Sequence, residues 1–302
     1  LGLFGCIQCG KCTAGCPLNY ITPFNIRRLV YEVLYAPGEQ FASEKHDIWQ
    51  CTSCATCSLR CPKEIEPRDV VMNLRSILVE DGSLPPAIRD VLKSISVNYN
   101  PWSLGKEKRA EWFTDLGLKS AADAPVCLYV GCTPAFDNRL HKVARSMVKC
   151  LQAAGVDFGV FGVDEICCGN EIKRLGDIWS FDALREANTE LFNGCEQLRQ
   201  IVTISPHCFN TFTNEYPGLA PEVLHYSQLF ARLIAQGAFA PSQQPVPRAG
   251  IEAYTQGLMD LGASLCSVRK PACDACPLAA LCMARAEGRA EAYPVKTPKL
   301  KR

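Results

Sequence analysis

Eight of the nineteen cysteines fall into two copies of one spacing. Cys6, Cys9, Cys12 and Cys16 before Pro17 form C-x2-C-x2-C-x3-C-P, and Cys51, Cys54, Cys57 and Cys61 before Pro62 repeat it. Three soft thiolates on one tight loop match three corners of a 4Fe-4S cube, which reads the chemistry as electron transfer. Zinc would ask for two separated C-x2-C pairs per ion and leaves the third cysteine and the proline unexplained.

In two-cluster ferredoxins the remote fourth cysteine of each motif ligates the other cube. The expectation is therefore crossed ligation, with Cys6, Cys9, Cys12 and Cys61 on one cluster and Cys51, Cys54, Cys57 and Cys16 on the second. A chain of 302 residues with 48% apolar content can pack about two domains. The cysteine count is odd and residues 1 to 30 lack a basic flank followed by an apolar core, so a reducing cytoplasm is expected in place of a disulfide-rich secreted protein. No run approaches the roughly 18 apolar residues of a membrane span, which leaves peripheral attachment at the inner membrane face through a partner. The chain starts at Leu1, so an upstream piece is expected to be missing. Net charge is +1, and residues 245–302 hold nine Lys/Arg against five Asp/Glu, a terminal basic excess that reads first as a solvated surface.

Residues 1–100 read as a helical module around two clusters. Ile26, Leu29, Val30, Val33 and Leu34 share one helical face, and Val70, Val71, Leu74, Ile77 and Leu78 form the stripe of a helix opened by Pro67. Pro85-Pro86 begins a further short helix, and 101–124 reads as a connector. From Pro125 to residue 238 strand and helix alternate. Strands are expected at 126–130, 157–163 and 201–204, and helices at 138–154 (Leu140, Val143, Met147 and Leu151 inward) and 181–198, which implies a parallel sheet. Cys132, Cys167, Cys168 and Cys208 each follow an expected strand, so all four are expected at the carboxyl edge, where open α/β sheets bind ligands.

The segments Val130-Gly131-Cys132, Cys167-Cys168-Gly169 and Ser205-Pro206-His207-Cys208, continuing to Asn214-Glu215-Tyr216-Pro217, resemble the CCG-domain family of heterodisulfide reductase-like iron-sulfur proteins, as does the order of modules. The resemblance covers about residues 1 to 240. It implies electron relay through the two ferredoxin clusters to a third centre on Cys132, Cys167, Cys168 and Cys208, and a redox partner such as a flavoprotein or membrane cytochrome subunit. Many family members carry C-x2-C at the last element; here Ser205 replaces its first cysteine, and the four remaining thiolates suit an ordinary cube. The family typically carries a second CCG repeat, whereas here the sequence changes character after Phe230.

After a linker at 239–247, Cys266, Cys273, Cys276 and Cys282 give C-x6-C-x2-C-x5-C within residues 248–302. With Gln256-Gly257-Leu258-Met259-Asp260-Leu261-Gly262 before it and Tyr293-Pro294 after, this resembles the C-terminal 4Fe-4S cluster loop of adenine-DNA glycosylases and endonuclease III. That resemblance implies a small helical cluster loop in which Arg269 and Lys270 contact DNA phosphates without sequence preference. A base-flipping pocket has no room, so glycosylase activity is not expected. The segment reads either as a helical cap stapled by a cluster or as one half of a chimera, a fusion of two unrelated proteins. The whole is expected to be an α+β multi-domain chain: helical ferredoxin module, α/β CCG domain, helical cluster loop.

Cys127, Cys150 and Cys195 read as small core residues. His207 fits either a hydrogen bond that tunes the third cluster or a solvated loop. Gly155, Gly159 and Gly162 lack the context of a dinucleotide fingerprint.

Overall fold

The computed structural model describes residues 2–35, 46–238, 272–276, 278–279, 282–286 and 288. The chain divides into two compact units. The first comprises Leu1–Arg109, Ile166–Leu191 and Asn214–Gly218. The second comprises Ala110–Glu165, Phe192–Thr213 and the described residues from Leu219 onward.

The first unit opens with helices α1 (Lys11–Ala14), α2 (Ile26–Tyr35), α3 (Thr56–Leu59), α4 (Pro67–Glu80) and α5 (Pro86–Asn98). Asn25 caps α2, its Oδ1 accepting from the Arg28 N–H at 3.0 Å and from the Thr13 hydroxyl at 2.9 Å. The helix is thereby tied to α1, which carries Cys12. Ile26, Leu29 and Val30 are buried as expected, while Val33 and Leu34 are only half-buried. In α4, Pro67 occupies the first turn, where its missing N–H costs nothing. Its inward face differs from the apolar stripe: Ile77 is 46% exposed, whereas Arg75 is only 2% exposed. Helix α5 runs 13 residues, longer than the expected short helix. Phe24, Ile26, Leu29, Ile48, Val71 and Leu78 form one core cluster, and Cys12, Cys16, Cys51 and Cys57 pack against it.

In the second unit β1 (Val126–Tyr129), α6 (Cys132–Phe136), α7 (His141–Ala153) and β2 (Phe158–Gly159) are followed, after α8 (Asn170–Leu175) and α9 (Ile178–Asn193) in the chain, by β3 (Gln200–Thr203), α10 (Pro206–Glu215), β4 (Glu222–His225) and α11 (Tyr226–Ala235). The sheet order is β2-β1-β3-β4 and every pairing is parallel, as the alternation implies. Register places Val126 opposite Gln200 and Gln200 opposite Glu222. Strand β2 stops short of the expected 157–163 because Val160 bridges to Ser120 and Gly162 turns with φ +61°. Strand β4 and helices α6, α8, α10 and α11 lie outside the expected elements. Helix α7 buries Ala144, Met147, Val148 and Leu151, leaving Leu140 and Val143 half-buried. Helix α9 starts three residues before Phe181 and ends at Asn193, so Cys195 falls in the loop beyond it.

Cys127 lies fully buried in β1, whereas Cys150 and Cys195 are only partly covered. Cys127→Ala is expected to lower stability by about 1 kcal/mol in urea unfolding, the cost of a small cavity, while iron content stays unchanged. Loss of iron would contradict its assignment to the core.

Candidate metal centre

Two cavities in the first unit are walled by cysteines. One is lined by Cys6, Cys9, Cys12 and Cys61, together with Arg27, Val30, Lys63 and Ile65. The other is lined by Cys16, Cys51, Cys54 and Cys57, with Phe24, Ile26 and Arg68. Each thus takes three cysteines from one motif and the fourth from the other. Neither lining contains a carboxylate or an imidazole, and cations stand at both. An all-sulfur donor set with positive neighbours suits an anionic iron-thiolate cluster. Among the described residues no three His, Cys, Asp or Glu side chains could hold a single metal ion. A cube spreads its ligands over four irons, so its sulfurs stand farther apart than the roughly 3.8 Å implied by 2.3 Å bonds to one tetrahedral zinc.

The repeat is structural as well as sequential. Gln8 (φ 54°) and Ser53 (φ 57°), each two residues past the first cysteine of its motif, are left-handed. So are Gly10 (φ 77°) and Ala55 (φ 59°), one past the second. These turns wind each loop around its cavity, and at three of the four positions a side chain bears strain that glycine would avoid. The Ser53 N–H donates to Cys51 Sγ and the Ile65 N–H to Cys61 Sγ, both at 3.4 Å.

The sulfurs differ in environment. Cys9 and Cys54 are exposed, and the other six are partly buried. Burial pushes the Cys12 and Cys51 thiols up and carries Cys57 to about 11. Cys54 runs the other way, held down by its hydrogen bond with Thr56, Sγ to Oγ1 3.3 Å.

Arg75 was missed in the sequence because it occupies a core position of an amphipathic helix. Its Nη2 donates to the carbonyls of Ile48 and Cys51, and its Nη1 to that of Arg174, each at 2.7 Å. Its guanidinium carbon lies 5.3 Å from the Trp49 ring centroid. A charge four residues after Val71 and three before Leu78 was the available signal.

The CCG cysteines are divided between the units. In the second unit Cys132 opens α6 after β1, and Cys208 lies in the first turn of α10 after β3, the neighbouring strand. Gly131 approaches the Cys208 sulfur so closely that a side-chain carbon there would sit 3.4 Å from it. Glu165 is buried, its carboxylate accepting the Val130 and Gly131 N–H groups at 3.0 and 2.9 Å. Ser205, standing where many CCG proteins carry a cysteine, accepts the His207 N–H at 3.2 Å and so caps α10. His207 is exposed. In the first unit Cys167 and Cys168 are both buried. Asn188 Nδ2 donates to the Cys167 carbonyl at 3.0 Å, the Tyr216 hydroxyl donates to that of Cys168 at 2.9 Å, and the Gly169 N–H donates to Cys167 Sγ at 3.3 Å.

Cys273 opens a single 3-10 turn that Cys276 follows, and Cys282 precedes the short helix α12 (Met283–Ala286). Arg285 pairs with Asp274 at 3.0 Å. Cys266, Arg269 and Lys270 lie outside the described residues.

Comparison with known proteins matches two domain families: a 4Fe-4S dicluster domain over residues 5–66 and a cysteine-rich (CCG) domain over residues 126–213. Neither reaches residues 248–302. The chain is 30% identical to the EtfAB:quinone oxidoreductase of Syntrophomonas wolfei, covering 80% of this chain and 41% of that protein. It is 32% identical to a probable membrane-anchored ferredoxin of Chromohalobacter salexigens, covering 80% and 43%. It is 25% identical to one subunit of the dihydromethanophenazine:CoB–CoM heterodisulfide reductase of Methanosarcina barkeri, covering 77% and 63%. The chain thus spans about two-fifths of the first two relatives. Its residues match a dicluster domain followed by a CCG domain, and it is similar to iron-sulfur oxidoreductase subunits. No helix among the described residues is long and apolar enough to cross a membrane.

Two outcomes follow from these environments. Glu165→Ala removes two hydrogen bonds to a buried carboxylate and is expected to cost about 2–4 kcal/mol in denaturant unfolding; a change near zero contradicts its role. Cysteine thiols are protonated at neutral pH and iron takes the thiolate, so loading iron expels protons. Anaerobic iron-sulfide uptake by the emptied chain is therefore expected to be faster near pH 9 than near pH 7, and a pH-independent rate contradicts this.

Proposed function

We propose that this chain is an iron-sulfur electron-transfer component of a heterodisulfide reductase-like oxidoreductase. One 4Fe-4S cluster is held by Cys6, Cys9, Cys12 and Cys61 and a second by Cys16, Cys51, Cys54 and Cys57. The observation that carries this reading is the composition of the two cavities, each drawing three cysteines from one motif and the fourth from the other. Bound there, the clusters supply one-electron transfer at potentials set by burial, charge and hydrogen bonds to sulfur.

The chain's own residues supply the rest. The left-handed turns at Gln8, Gly10, Ser53 and Ala55 orient the thiolates, and the apolar core against Cys12, Cys16, Cys51 and Cys57 excludes water from one side. Phe4 (95% exposed) and Leu59 (86%), close in sequence to Cys6 and Cys57, offer apolar surface to a redox partner, a flavoprotein or a membrane cytochrome subunit. A third cluster on Cys132, Cys167, Cys168 and Cys208 is supported by one family match spanning all four. Its acceptor chemistry belongs to the same proposal. A fourth on Cys266, Cys273, Cys276 and Cys282 rests on spacing.

Reduced-state EPR with iron analysis tests this. The anaerobic chain is expected to hold at least about eight irons, four per cube. Cys61→Ala and Cys9→Ala should deplete one dicluster signal, Cys16→Ala and Cys54→Ala the other, and Cys208→Ala neither. Pairing of Cys16 with Cys9 in one signal would refute the crossing.

A further inference from the structure

We propose that Arg75 makes the centre on Cys16, Cys51, Cys54 and Cys57 the easier to reduce of the two dicluster sites. The inference rests on both sites being loaded as proposed above.

The two cavities differ in the cations that face them. Arg27 and Lys63 line the first, and both are exposed. Water and salt screen such charges over about 8–10 Å at ordinary ionic strength. Arg68 lines the second cavity but is paired with Asp69 at 2.7 Å, so its charge is largely compensated. Arg75 is different in kind. It is 2% exposed, its Nη1 and Nη2 groups donate to carbonyls and not to a carboxylate, and one of those carbonyls belongs to the ligand Cys51. Its Nε is buried and has no hydrogen-bond partner among the described residues. A guanidinium stays protonated under all ordinary conditions, so a full positive charge is fixed in a poorly screened place beside one centre only. Adding an electron makes a cluster more negative, and a nearby buried cation stabilises that state over the oxidised one.

The backbone holds the arginine there. Gly176 (φ +94°) packs so tightly that a side-chain carbon on it would lie 2.6 Å from the Arg75 carbonyl carbon, and the Arg75 fork grips the Arg174 carbonyl two residues before it. The charge therefore cannot swing to solvent as a surface lysine does.

The test is an anaerobic redox titration of the full iron-loaded chain followed by EPR. In Arg75→Met, iron content is expected to stay at the wild-type value. The higher dicluster potential should fall by at least tenfold in equilibrium constant, about 59 mV for a one-electron couple, and the lower one should stay within twofold. Arg75→Lys, which keeps the charge, should shift less than half as far, and Arg27→Gln should leave the higher potential in place. A loaded Arg75→Met chain that titrates like wild type overturns the proposal, as does an Arg75→Lys shift as large as that of Arg75→Met. Should Arg75→Met fail to load, the wild-type chain decides. Raising salt from about 0.05 to about 1 M is expected to move the lower potential and leave the higher one in place, and equal movement of both overturns the inference. A wild-type chain short of about eight irons sinks the parent reading instead, so the two failures are distinguishable.

Discussion

The arrangement depends on each sulfur-lined cavity borrowing its fourth cysteine from the other motif. Cys61 stands with Cys6, Cys9 and Cys12, and Cys16 with Cys51, Cys54 and Cys57. Neither set can form until the chain between them has closed. That closure is what α2 and its Asn25 cap, the Ile48 loop and α4 accomplish around the core of Phe24, Ile26, Leu29, Val71 and Leu78. Loop closure over several tens of residues costs only a few kcal/mol, and a metal-thiolate cluster can repay it several times over. The module is thus expected to fold with its metal.

Charge then distinguishes two sites that symmetry would make equal. The loops repeat their left-handed positions almost residue for residue, yet among the described residues only the second has a buried guanidinium, that of Arg75, on a cysteine carbonyl, that of Cys51. Apolar packing lifts the Cys57 thiol to about 11, while Thr56 holds the exposed Cys54 down. In the α/β unit a buried carboxylate, Glu165, fixes the backbone before Cys132, and Ser205 spends its hydroxyl on capping α10. A serine with that task explains a four-thiolate CCG motif without asking oxygen to ligate iron.

Much of this was legible in the residues. The cysteine spacings announced the dicluster loops, Pro67 announced α4, and alternating apolar runs announced β1, α7, β3 and a parallel sheet. What escaped was tertiary in origin. Arg75 and Glu165 are charged residues whose burial depends on carbonyls and amides supplied from elsewhere in the chain, and local sequence cannot reveal that. Strand β4 carries Glu222 and His225 in a four-residue run, too short and too polar for a period-two signal. Strand β2 was overextended because an apolar run does not reveal where a glycine with positive φ will turn it.

Native mass spectrometry of the anaerobically purified chain tests the central claim most directly. The account predicts bound mass in whole 4Fe-4S steps with two cubes as the minimum, the loss of one step in the Cys6→Ala/Cys61→Ala double variant and of two steps in Cys6→Ala/Cys16→Ala. A chain carrying zinc, or the reverse pattern in the two double variants, would contradict it.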